Sequence, residues 1–465
     1  MYFKFIHDSS LAQNSYIIGC QAEGVAAVID PKRDIDTYLD IAEDNGLTIT
    51  HILETHIHAD FLCGSRELAQ ATGAQMYLSD EGGADAAYAF PHQPLKNGSV
   101  MRLGNIAVEV LHTPGHTPEA LSFLVTDESA TREPVMLFTG DFFFVGDVGR
   151  PDLPDKLTGT THTATHGAKD QHASVQKLLQ LNDHLQIWPG HGAGSSCGKA
   201  LGAVPMTTLG YEKHRNWALQ LSEDQDEFIR ELLSGQPEPP KYFLEMKKLN
   251  SVKNRNILTD IPKPRQLTRK EFARARKDKL PLIDARPWEK YIKGHLKEVW
   301  NITNDDSFAT EIGWLMDYER PFVIIAGKKQ WNDITRKLMR IGMDNVLGFV
   351  TPKQLKTWEP KNQITARIVN KKALQEALHD KTVQLIDVRN RSEYDEGHIG
   401  HAQNIHYGML DGHLSEIDKE KRLILYCRTG GRAAVAYSFL LSQGFDKVSI
   451  YPGGWEEWNH AQAVD

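Results

Sequence analysis

Short bursts of β-branched and apolar residues punctuate the first half of the chain. SYIIG (15–19) and VAAVID (25–30) read as strands. A helical pattern follows at 35–45 and is stopped by Asn45-Gly46. ITHILET (49–55), VEVLHT (108–113) and VMLFTG (135–140) read as further strands. VQKLLQLNDHL (175–185) has helical spacing, and QIWPGHG (186–192) is a strand meeting a glycine-rich turn. Polar groups recur just past the strand ends, where loops are held over a rigid sheet.

The second half repeats itself. PLIDARPWEKYIKGHLKEVWNI (281–302) aligns with QLIDVRNRSEYDEGHIGHAQNI (384–405), placing Asp284 on Asp387 and His295 on His398 at a constant offset of 103. FVIIAGKKQW (322–331) aligns with LILYCRTGGR (423–432), with Ala326 opposite Cys427. Each copy alternates strands and helices, which implies a parallel sheet covered on both faces. Between the halves, GQPEPPK (235–241) breaks regular structure, and residues 247–279 carry 12 Lys/Arg against 3 Asp/Glu. A solvated linker is the favoured reading of that basic stretch; an edge that attracts an anionic substrate is the other. The expected division is 1–250, a linker at 251–265, then domains at 266–362 and 363–465.

Composition narrows the class. The 465 residues hold 53 Lys/Arg and 61 Asp/Glu, a net charge of −8, which argues against a nucleic-acid binder. A hydrophobic fraction of 40% and a charged fraction of 25% suit a soluble globular chain. No apolar run approaches the roughly 18 residues of a membrane span, and MYFKFIHDSS lacks the apolar core of a signal peptide. Four cysteines, at 20, 63, 197 and 427, are too few for a disulfide framework. A reduced, cytoplasmic protein with no membrane or nucleic-acid partner is expected.

Candidate metal ligands cluster in the first half. THIHADF (55–61) supplies His56, His58 and Asp60; HTPGHT (112–117) supplies His116; FTGD (138–141) supplies Asp141; PGHG (189–192) supplies His191. Imidazoles and carboxylates on separate strand-end loops can converge on one ion. His112, His162 and His166 read as structural or surface residues, because nothing completes a site around them. Cys20 and Cys63 read as packing residues.

This order of motifs resembles the metallo-β-lactamase superfamily over roughly residues 1–250. The resemblance implies a four-layer αββα sandwich. Its hydrolases usually carry a further histidine where this chain has Phe61, and a phenyl ring cannot coordinate a cation. A tight dinuclear zinc site is therefore not expected. The departure resembles the persulfide dioxygenase branch, which binds a single ferrous iron through two His and one Asp. On the matching positions those ligands are His56, His116 and Asp141, one Fe(2+) per chain, in a facial arrangement with open positions. His58, Asp60 and His191 are then second-shell partners or a weak second metal site. GDFFFVGDVGRPDL (140–153) also resembles this branch. Its Arg150 either holds an anionic part of the substrate or pairs with Asp147 or Asp152. Cys197, six residues past His191, is either a packed inert thiol, the favoured reading, or a group that touches substrate or relays sulfur.

YCRTGGRAA (426–434) follows the strand RLILY and opens a helical run. A cysteine in such a loop is stabilised as a thiolate by loop N–H groups and the helix N-terminus. The span Cys427, Arg428, Thr429, Gly430, Gly431, Arg432 resembles the rhodanese active-site loop, and DVRNRSEYDEGHI (387–399) and YPGGWEEW (451–458) match that family too. Related phosphatases use a loop one residue longer. The resemblance implies transfer of a sulfane sulfur through a persulfide on Cys427. The first copy, with Ala326 and GKKQWND, is expected to be an inactive rhodanese domain.

The whole is therefore expected to be a multidomain α/β chain, an αββα sandwich followed by two rhodanese-like domains. It resembles bacterial persulfide dioxygenase–rhodanese fusions of sulfide detoxification. That resemblance implies oxidation of a low-molecular-weight thiol persulfide by O2 to sulfite and thiol, with thiosulfate made or used at Cys427, and is compatible with a homo-oligomer. Taking zero-valent sulfur to sulfite removes four electrons and O2 accepts four, so no flavin or nicotinamide is required; GxGxxG and GxxxxGK[ST] are absent from the sequence. The thiol is open among glutathione, coenzyme A, bacillithiol and simpler ones. Two alternatives stand beside this reading: a zinc thioester hydrolase of the glyoxalase II type, and a sulfur carrier with a vestigial metal site.

Overall fold

The computed structural model describes residues 1–158 and 163–460. It falls into two units, Met1–Ile261 with Met339–Gly342, and Pro262–Leu338 with Met343–Asp465. No helix among the described residues is long and apolar enough to cross a membrane.

The first unit is built on two six-stranded sheets. One runs Tyr2–Asp8, Gln13–Cys20, Val25–Ile29, Thr48–Leu53, Gln75–Ser79, Gln93–Leu95 in spatial order. The other runs Thr207–Thr208, Gln186–Pro189, Met136–Gly140, Leu121–Asp127, Ile106–His112, Val100–Leu103. Alternation along the strands sorts side chains to two cores. Tyr16, Ile18, Ala27 and Ile29 meet Val108, Phe123, Val125 and Phe138 between the sheets. Their neighbours Ile17, Ala26 and Val28 face outward onto Ile35, Tyr38 and Leu68 of the flanking helical segments. On the far side Leu124, Leu137 and Ile187 meet Val175, Leu178, Phe228 and Leu232. The result is helix, sheet, sheet, helix. Strand Gln13–Cys20 is buried at every position, because both its faces are covered.

The helix predicted at 175–185 is displaced. The helix is Thr163–Leu178, and residues beyond it turn towards strand Gln186–Pro189. Leu185 still packs into the same core as Leu178. The apolar spacing there reports burial, which a turn delivers as well as a helix. His162 lies outside the described residues, and the His166 side chain is 81% exposed. The four cysteines are free and buried.

The second unit contains the two copies. The first has a four-stranded sheet, Val299–Asn301, Leu282–Asp284, Phe322–Ile325, Val346–Val350. The second orders its equivalents the same way and adds Arg367–Ile368 at one edge. Paired strands in both sheets run parallel. One polar clamp appears twice. Arg286 donates to Asp284 and to the Gly294 carbonyl, while Asn301 donates to the Asp284 and Arg286 carbonyls. Arg389, Asp387, Gly397 and Asn404 repeat each bond at the offset of 103. Tyr291 stacks on His295 at 4.0 Å and Tyr394 on His398 at 3.7 Å.

Glu311, on helix Phe308–Leu315 of the first copy, is buried; burial and then the charge of Asp305 push its carboxyl up to about 8. A carboxyl whose pKa is raised on folding binds its proton more tightly in the folded state. Stability is then full below the ordinary value of 4.5 and falls as pH rises towards 8. The slope is roughly 1.4 kcal/mol per pH unit for complete burial. Glu311→Gln is accordingly expected to gain stability over the wild-type chain between about pH 5 and about pH 8, by a few kcal/mol at the upper end. Denaturant unfolding of both proteins at the two pH values checks this; a constant difference overturns it.

Candidate metal centre and sulfur-transfer loop

The metal candidates sit on four loops at one end of the two sheets. Asp30, held at φ 50°, ends strand Val25–Ile29 and turns its carboxylate across to the next strand end. It accepts from the Thr55 backbone N–H (2.7 Å) and from Thr55 Oγ1 (2.8 Å). Because the Thr55 hydroxyl donates to Asp30, it accepts from His56 Nδ1 (3.0 Å). That leaves His56 Nε2 as the free lone pair. His116 Nδ1 donates to the Arg150 carbonyl (2.8 Å), which likewise turns its Nε2 outward.

Asp141 ends the strand Met136–Gly140. A Cβ on Gly190 would stand 2.5 Å from Asp141 Oδ1, and one on Gly140, at φ 51°, would stand 2.4 Å from Thr55 Oγ1. Glycine at both positions lets the loops close on the carboxylate. Asp141 Oδ2 lies 3.9 Å from His56 Nε2 and 3.7 Å from His116 Nε2. His56 Nε2 and Asp141 Oδ2 are buried without hydrogen-bond partners. Orphaned buried acceptors are costly. Three donors converging within 4.8 Å of one another fit a cation. Burial, followed by the neighbouring His58, holds His56 well below the ordinary histidine range; burial lowers His116 as well. Both rings are neutral and ready to ligate. Burial would raise Asp141, but His191, His56 and His116 bring it down, so it is ionised.

His191 is differently placed. Its Nδ1 donates to Asp141 Oδ1 (2.7 Å) and its Nε2 to Asp60 Oδ2 (2.6 Å). Burial opposes its charge, yet Asp141 and Asp60 hold its pKa well above the ordinary value. His191 is thus an imidazolium strung between two carboxylates, and it fixes which oxygen Asp141 presents. His58 turns to Asp30 (3.0 Å) rather than to the trio, and the Phe61 ring lies 4.3 Å from the His58 ring. Cys197 groups with Asp60 and His191; burial, then Asp141 and Asp60, raise its thiol well above the ordinary range. It is a buried neutral thiol.

Arg150 does not reach out to a substrate. It is fully buried, donates to both Asp152 oxygens (2.7 and 2.8 Å), and gives Nη1 to the Ser196 and Pro237 carbonyls. Of the two expected roles, the pair with Asp152 is the one formed, and its backbone carbonyl is what steers His116. Two residues missed from sequence line a cavity of about 190 Å³ beside His116: Thr117 and Lys247.

In the second unit, Cys427 follows strand Arg422–Tyr426 and is 1% exposed. The Gly430 N–H donates to its sulfur (3.1 Å), and helix Gly431–Ser442 begins there. Arg432 pairs with Glu393 (2.5 and 2.8 Å), and the more exposed Arg428 pairs with Glu456 (2.7 Å). Thr429 is exposed at the loop tip. The Trp455 N–H donates to the Cys427 carbonyl (2.8 Å), so YPGGWEEW closes the loop from behind. In the first copy Ala326 is buried, and Trp331 Nε1 donates to its carbonyl (3.0 Å). That copy has Ala326 in place of the cysteine, but its Trp288 covers the Cys427 loop: a Cβ on Gly430 would stand 2.9 Å from the Trp288 ring.

Trp288→Ala is therefore expected to raise the rate of Cys427 alkylation by iodoacetamide on the order of tenfold, by uncovering a loop otherwise intact. Quenched-flow labelling with mass spectrometry measures it, and an unchanged rate overturns the covering role.

Comparison with known proteins places this geometry. The metallo-beta-lactamase superfamily matches residues 10–191, and the rhodanese-like domain matches twice, at 268–350 and 370–461. A solved metallo-beta-lactamase from Staphylococcus aureus is 42% identical with a TM-score of 0.71, covering 76% of this chain and 99% of that one. The hydroxyacylglutathione hydrolase GloC of Haemophilus influenzae is 28% identical over 233 residues, 46% of this chain and 97% of the relative. The mitochondrial persulfide dioxygenase ETHE1 of Bos taurus is 28% identical over 183 residues, 38% of this chain and 63% of the relative. The chain belongs to the metallo-beta-lactamase superfamily, as an enzyme that carries two rhodanese-like domains behind the metal-binding fold.

Proposed function

We propose that this chain oxidises a low-molecular-weight thiol persulfide with O2, using one ferrous ion, and handles the sulfur products through Cys427. The observation that carries the reading is the trio of His56 Nε2, His116 Nε2 and Asp141 Oδ2, with Phe61 where a further ligand would stand and His191 engaged by two carboxylates. A ferrous ion held by His56, His116 and Asp141 would supply redox chemistry with O2. The chain does the rest. The Arg150 carbonyl and Thr55 hydroxyl orient the imidazoles, His191 fixes the Asp141 carboxylate, and the Phe61 ring keeps that side dry. The overall balance is RSSH + O2 + H2O giving RSH, sulfite and two protons. The similarity to ETHE1 supports this chemistry.

At the second site, the Cys427 thiolate attacks the outer sulfur of thiosulfate. The S–S bond breaks, sulfite leaves with the bonding pair, and the sulfur stays on Cys427 as a persulfide. The reverse delivers that sulfur to sulfite as thiosulfate. The Gly430 N–H donates to the sulfur, and Arg432, paired with Glu393, adds positive charge to the loop.

The similarity to GloC favours a second reading, thioester hydrolysis at a zinc site. The experiment that separates them is iron loading of the full chain under anaerobic conditions, followed by O2-electrode and product assays with glutathione persulfide. One O2 per sulfite is expected, and His116→Ala should lower uptake on the order of a hundredfold. Tightly held zinc, hydrolysis of S-lactoylglutathione and no O2 uptake would overturn the dioxygenase reading. Unchanged sulfite yield in His116→Ala would support a carrier with a vestigial site. Cys427→Ser is expected to abolish sulfur transfer from thiosulfate to cyanide while leaving O2 uptake within about twofold; transfer that survives the change removes Cys427 from the mechanism.

A further inference from the structure

The cavity beside His116 has a chemical character of its own. Ile57, Ala59, Leu153, Leu157 and Leu244 give it apolar walls. His116 and Ile57 are buried, whereas Leu244 is 42% exposed and Lys247 is half-buried. The cavity therefore leads from solvent to a ligand imidazole. Two polar groups break the apolar lining. Thr117 Oγ1 is buried without a hydrogen-bond partner. Lys247, one helical turn from Leu244 on helix Phe243–Ser251, has no ion-pair partner among the described residues, while Lys248 beside it pairs with Glu245. An unspent hydroxyl and an unspent ammonium at an apolar cavity are what an anionic group on a short aliphatic chain requires.

We propose that this cavity holds the tail of the substrate, and that the tail is a short aliphatic chain ending in a carboxylate, gripped by Lys247 and Thr117. The inference rests on the persulfide reading for what happens at sulfur, and independently on the cavity for what binds beside it. A cavity of about 190 Å³ that opens to solvent accommodates a mercapto acid of three carbons. Lys247 is a specificity residue here, since it meets the substrate far from the bond that breaks.

Three thiols of equal chain length and different terminal charge test the point: 3-mercaptopropionate, 3-mercapto-1-propanol and 3-mercaptopropylamine. Each is titrated calorimetrically, without oxygen, into the iron-loaded full chain. The acid should bind at least about tenfold tighter than the alcohol, as a charged hydrogen bond in a dry site allows, and tighter still than the amine. Lys247→Met should bring acid and alcohol together, Lys247→Glu should favour the amine, and Thr117→Val should weaken acid and alcohol alike by about fivefold. Equal affinities in the wild-type chain, or a preference for the acid that survives Lys247→Met, would overturn the proposal. O2 uptake with the corresponding persulfides keeps the two readings apart. Charge-selective binding without uptake leaves the tail site standing and removes the dioxygenase. Uptake with one KM for all three persulfides does the reverse.

Discussion

The carboxylate of Asp141 is shared out atom by atom, and the metal-binding end of the molecule depends on that division. Oδ1 accepts from the His191 imidazolium, and Oδ2 is left facing two neutral imidazoles. Without His191 the carboxylate would be free to rotate and either oxygen could turn inward. Without Asp60 on its other nitrogen, His191 would have less reason to carry the positive charge that holds Asp141 ionised in a buried place. The division in turn depends on backbone closeness that only glycine permits at 140 and 190. A chain of local necessities thus runs from two missing side chains to the orientation of one oxygen atom.

The sulfur loop solves a related problem with different means. The Cys427 sulfur is buried, with the Gly430 N–H donating to it where helix Gly431–Ser442 begins. Here the surroundings come from three stretches: the loop itself, the Trp455 segment behind it, and Trp288 from the copy that lacks the nucleophile. The first copy therefore lines the Cys427 loop as well as forming a domain in its own right.

Much of this was legible in the sequence because the relevant residue types are scarce and sit past strand ends. His56, His58, Asp60, His116, Asp141 and His191 are readable as one cluster for that reason; the trio His56, His116 and Asp141 is marked out within it only by the family resemblance, and Cys427 by its company of Gly and Arg. What escaped reading was determined by distance along the chain. Lys247 lies 131 positions from His116 and looks like one more lysine on an amphipathic helix. Asp30 reads as the end of a strand, and nothing local announces that it steers Thr55 and His58. Arg150 suggested anion binding by type, but its donors are consumed by Asp152 and two carbonyls. Trp288 could have been suspected only by asking what a catalytically silent copy is still needed for.

The twice-built clamp of aspartate, arginine and asparagine separates the frame of a module from its chemistry. Its members, Asp284, Arg286 and Asn301 in one copy and Asp387, Arg389 and Asn404 in the other, all lie outside the segment that bears the nucleophile. Architecture and reactivity are written in separate letters of the same module. One copy therefore keeps the frame without the nucleophile, and its Trp288 lies against Gly430 of the other.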